Sequence, residues 1–129
     1  MKLNVILFAA LLAAPALPLL AHHSFVAEYD YNKRIELTGT VTKLEWTNPH
    51  GRFYLRVPGA GGVTATWQFE LGSPNALLTH GWHRDTLRVG DRVTVSGYQS
   101  KGSPTVGNAA VITFPDGRKV AADGESLQE

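Results

Sequence analysis

Five histidines and no cysteine set the chemistry open to this chain. Without thiols there can be no disulfide, no thiolate metal site, no iron–sulfur cluster and no cysteine nucleophile, so any metal must be held by His, carboxylates or backbone. Two histidines, His22 and His23, follow directly on a segment with the anatomy of an export signal. Cleavage after Ala21 would make His22 the first residue. Its free α-amine and its imidazole could then chelate one ion together, and a further imidazole would complete three nitrogens in a T-shaped array. That array suits the tetragonal preference of Cu(II) and its high place in the affinity order. His50, in an Asn-Pro-His-Gly turn, is the first choice for the third ligand, and His23 is the alternative.

The same residues have plainer readings. Adjacent histidines at a chain end can be a solvated tip, and His50 can serve only to hydrogen-bond and shape its turn. His80 and His83 flank Gly81-Trp82, and they would share an ion only if helix persisted through Gly81, which argues against a second metal site. Glu70, Asp85 and Asp91 are the acids to consider for proton transfer, yet none is paired with a nucleophile, and no serine stands in a Gly-x-Ser-x-Gly context. Gly59-Ala60-Gly61-Gly62 is followed by a strand pattern and lacks Lys-Ser/Thr, so it reads as a hairpin loop and not a phosphate cradle.

Residues 1–21 supply the address. One Lys, an apolar stretch from Leu3 to Leu12, Pro15, Pro18 and a terminal Ala make a secretory signal peptide. The prolines leave the apolar run short of the roughly 20 residues a membrane span needs, so no stable span is expected after cleavage. A periplasmic or secreted location follows. A net charge of +1 with no basic run gives little attraction for a phosphate backbone, which makes nucleic acid a poor partner.

The elements that must position these residues read as strands. Ile35, Leu37, Gly39 and Val41 share one parity before Leu44 and Trp46 take the other, which predicts a long first strand with a bulge near Thr42–Lys43. Phe53, Leu55 and Val57 alternate with polar neighbours in a second strand. Val63, Ala65, Trp67, Phe69 and Leu71 alternate against Thr64, Thr66, Gln68 and Glu70 in a third, giving one dry and one wet face. Ser73-Pro74 to Gly81 predicts a short helix with its cap, first-turn proline and glycine stop. A fourth strand runs from Arg92 to Tyr98, a Gly/Ser-rich loop from Gln99 to Gly107, and a last core strand carries Ala110, Ile112 and Phe114.

Five strands with one short helix between the third and fourth is the element order of an all-β, OB-like Greek-key barrel. The domain is expected over residues 22–120, with 121–129 as a flexible tail. In such a barrel the loop joining the first two strands borders the usual ligand face, which adds Asn48, Tyr54 and Glu70 as candidate ligand-face residues.

The runs His22-His23-Ser24-Phe25, Glu28-Tyr29-Asp30, Thr47-Asn48-Pro49-His50, Glu70-Leu71-Gly72-Ser73-Pro74, Gly81-Trp82 and Asp85 through Leu87 to Gly90-Asp91 resemble those of a family of small exported bacterial proteins classed as a domain of unknown function. The resemblance spans His22 to about Val120 and implies an exported, β-rich domain. Three functions stay open: a non-enzymatic metal-binding protein, with copper the expected ion; an OB-like module binding a protein, glycan or small ligand without metal; and a copper-dependent oxidase using the same nitrogens.

Overall fold

The computed structural model describes residues 25–124, so the expected signal segment and the His22-His23 pair lie outside the described residues. A helical turn at residues 25–28 leads into β1 (Tyr29–Glu45), followed by β2 (Arg52–Pro58), β3 (Thr64–Glu70), α1 (Pro74–Thr79), β4 (Arg92–Ser100), β5 (Val106–Thr113) and β6 (Lys119–Ala121).

β1 is the hinge of the architecture. Residues Arg34–Thr40 pair with β4, and Thr40–Glu45 pair with β2 across a register shift between Val41 and Lys43. That bulge falls where the change of hydrophobic parity puts it, and it lets one strand turn from one side of the sheet to the other. Gly39 sits at the turning point, where a Cβ would run into the Arg56 carbonyl. β2 pairs with β3, β4 with β5, and β3 meets β5 in parallel over Gln68–Glu70 and Val106–Asn108. The pairing order β1–β2–β3–β5–β4–β1 therefore returns on itself through a seam of three residue pairs, giving a barrel-like all-β domain, partly open.

The strand count is six and not five. Pro115-Asp116-Gly117 makes the expected turn, with Gly117 at φ 88°, Asp116 Oδ1 accepting from Arg118 N, and Phe114 N donating to Arg118 O. The chain folds straight back, and β6 pairs with Val111–Thr113 of β5. Three residues are too few to show a period, so the strand is silent in the sequence. The stretch after it is also built in: Ala122 is fully buried, its N donating to Ala110 O and its O accepting from Gly72 N. The expected Gln99–Gly107 loop shrinks to residues 101–105 because β4 and β5 run further than their apolar alternation.

The core forms from the inward alternate residues: Phe53, Leu55 and Phe69 from β2 and β3, Val93 and Val95 from β4, Ile112 from β5. Leu77 of α1 and Leu87 join the same cluster. The helix forms as its capping residues dictate, with Ser73 Oγ accepting from Ala76 N, Pro74 in the first turn and Gly81 at φ 89° beyond the end. The dry face of β3 is shorter than its alternation, since Val63 and Ala65 are exposed. They precede the β3–β5 seam, and nothing among the described residues covers them.

Candidate functional site

The β1–β2 connection is tied down at both ends. Thr47 Oγ1 donates to His50 O at 3.2 Å, the Asn48–Pro49 bond is cis, and Gly51 exchanges backbone hydrogen bonds with the end of β3, its N donating to Gly72 O and its O accepting from Leu71 N. This places the His50 ring beside residues 70 and 71. Its Nδ1 lies 3.3 Å from the Leu71 carbonyl oxygen and 3.7 Å from Glu70 Oε1, with half of the side chain exposed. A carbonyl only accepts, so in this contact Nδ1 is the donor, and the tautomer that fits it leaves the lone pair on Nε2.

Glu70 is shared. Its carboxylate also interacts with the hydroxyl of Tyr29, whose ring is buried at the start of β1. Burial pushes the Tyr29 hydroxyl far above the usual phenol range, and the negative charge of Glu70, its hydrogen bond and the charge of Glu28 push in the same direction. The entry into β1 is anchored as well. Lys101, in the β4–β5 loop, donates from its backbone N to Glu28 O at 2.8 Å and from Nζ to Val26 O at 2.7 Å. Phe25 lies against Tyr29 and Tyr31 with ring centroids 5.0 and 5.1 Å away. Residues 25–29 thus dock beside the acid that faces His50.

Of the ligand-face candidates, Glu70 lines a cleft of about 360 Å³ together with Glu28, Tyr29, Arg52, Gln68 and Ser100. Tyr54 stands on the same outer face of the β2–β3 hairpin, opposite Gln68, but outside this cleft and under the Lys43 ammonium at 5.2 Å. Asn48 is exposed in the turn. His22 and His23 lie outside the described residues. Among the described residues, no group of three or more His, Asp or Glu side chains is placed to hold a metal ion.

The remaining polar candidates take structural roles. His80 Nδ1 contacts Ala76 O at 2.8 Å at the end of α1, Asp85 pairs with Arg88, and Asp91 Oδ2 accepts from Arg88 N inside its turn. Trp46, half-buried, packs against Trp82, whose Nε1 donates to Ala121 O. Sequence reasoning gave no role at the site to Arg52, Tyr29 or Lys101. Arg52 shares the outward parity of Tyr54 and could have been found that way; Tyr29 stands in the Glu28-Tyr29-Asp30 run, but it and Lys101 meet the site only through long-range packing.

No helix among the described residues is long and apolar enough to cross a membrane. No curated protein matches the chain. Over residues 10–109 it matches a family described as a family of unknown function (DUF6152), and to that family the chain belongs.

Proposed function

We propose that this is an exported metal-binding protein that takes Cu(II) at its processed N-terminus, through the His22 amine and imidazole and the Nε2 of His50, with His23 as the alternative third donor. The orientation of His50 carries the reading. A ligating histidine donates its other ring N–H to a carbonyl or carboxylate, which fixes the tautomer and aims the free nitrogen outward. His50 has that arrangement, with Leu71 O and Glu70 behind Nδ1 and a half-exposed ring in front. His22 stands three residues before Phe25, and three residues span at most about 11 Å. The role in this reading is binding, for handling or buffering copper.

Intact mass and calorimetric titration of the exported protein test this together. The expected mass is that of a chain starting at His22, with a Kd for Cu(II) below about 1 µM. Acetylating the amine or introducing His22→Ala should weaken binding about 100-fold, and His50→Ala about tenfold or more. A different start, a Kd weaker than micromolar, or an affinity indifferent to acetylation overturns the reading.

A further inference from the structure

The cleft beside Glu70 carries a second site, built from described residues alone and sharing only Glu70 with the metal reading. In the β2–β3 register Arg52 lies directly opposite Glu70, a cross-strand position where opposite charges ordinarily pair. They do not pair here. Glu70 is drawn toward His50 and Tyr29, and the Arg52 guanidinium is left without a salt bridge or side-chain hydrogen bond among the described residues. Gln68, one step along the same face, likewise has an unengaged amide, and the Glu28 carboxylate stands across the cleft with no cation. One cation, one amide and two carboxylates therefore face a common space of about 360 Å³, at the small end of ligand-pocket sizes.

We propose that this cleft binds a small amphoteric molecule of amino-acid or dipeptide size, its carboxylate on Arg52 and Gln68 and its ammonium on Glu28 and Glu70. Arg offers a carboxylate two parallel N–H donors, and the acidic side receives the ammonium. A dianion would meet Glu28 and Glu70 with like charge; a simple cation would leave Arg52 unused. The apolar edges of Ala27 and Val106 give room for a short aliphatic side chain.

Nitrogen-15 NMR titration of the metal-free exported protein separates the possibilities with three probes: alanylalanine, N-acetylalanine and alaninamide. Alanylalanine should shift the amides of Arg52, Gln68, Glu70 and Gly102 saturably, with each capped analogue about tenfold weaker. Arg52→Gln should weaken alanylalanine toward the affinity of alaninamide, and Glu28→Gln should weaken it toward that of N-acetylalanine. Both side chains are exposed, so neither change endangers the fold. No saturable shift up to about 10 mM, equal affinity for all three probes, or shifts indifferent to both substitutions would overturn the proposal. Because no metal is present, failure here leaves the copper reading standing, and failure there leaves this one.

Discussion

The two faces of the β2–β3 hairpin alternate along the same strands and obey different rules. On the inner face Phe53 and Phe69 lie opposite each other and stack at 5.4 Å, with Leu55 beside them, all fully buried. On the outer face Arg52 and Glu70 are equally well opposed and do not bond, because Glu70 faces His50 from the β1–β2 loop and Tyr29 from the start of β1. Inside, register alone decides partners, since apolar contact is non-directional and any well-filled neighbour will serve. Outside, directional polar groups follow whichever loop brings the better donor. The inner face holds the domain together, and the outer face leaves polar groups such as Arg52 without a partner among the described residues.

The sharpest way to break this contrast is to damage each face in turn. Phe53→Ala removes a fully buried ring from the centre of the core and should cost about 3–5 kcal/mol, as large-to-small core changes do. Chemical denaturation would read this as a lower midpoint with an unchanged slope. Should the variant prove too unstable to isolate, Leu55→Ala offers a smaller deletion at another fully buried position. A loss below 1 kcal/mol from either change would mean the hairpin interior does not carry the fold.

How much of this the sequence disclosed follows the same division. The inner residues announce themselves by alternation, so Phe53, Leu55, Phe69, the bulge at residue 42 and the capped helix were all legible. β6 and the buried Ala122 were not, because a three-residue strand has no period and alanine carries little hydrophobic signal. At the site, His50 and Glu70 could each be picked out by type, whereas their meeting depends on Gly51 bonding to Leu71 and Gly72, which is a tertiary fact. Arg52 was passed over because exposed arginines on a wet strand face are commonplace. Only the redirection of Glu70 makes it distinctive.

Tyr29 sits where the two faces meet, a buried ring whose hydroxyl reaches the outer acid. Tyr29→Phe keeps the packing and removes that contact, at a cost of about 1 kcal/mol near neutrality. Its pH signature is more telling. With a hydroxyl pKa raised in the fold above the unfolded value of 10.0, the native state holds the proton more tightly. The associated stability is complete below pH 10 and drains away as pH climbs past it. The wild-type stability curve should therefore fall above pH 10 more steeply than that of Tyr29→Phe, as equilibrium denaturation across pH 8 to 11 would show. Parallel curves would mean that neither burial nor the charge of Glu70 holds the proton on the hydroxyl.

The smallest effect belongs to a charge pair with no buried member. Asp85 and Arg88 lie 2.8 Å apart, with about two thirds of each side chain exposed. The Arg88 hydrogen bond holds the Asp85 carboxyl below its usual range, followed by a backbone hydrogen bond and the Arg88 charge. A lowered folded-state value places the associated stability above the ordinary carboxylate range and removes it as the pH falls below. Water and salt screen such a pair, so Asp85→Asn should leave the melting temperature and the acid limb of the stability curve indistinguishable from wild type, at low and high ionic strength alike. A resolvable loss would show that polar contacts on this surface can hold structure without a buried partner.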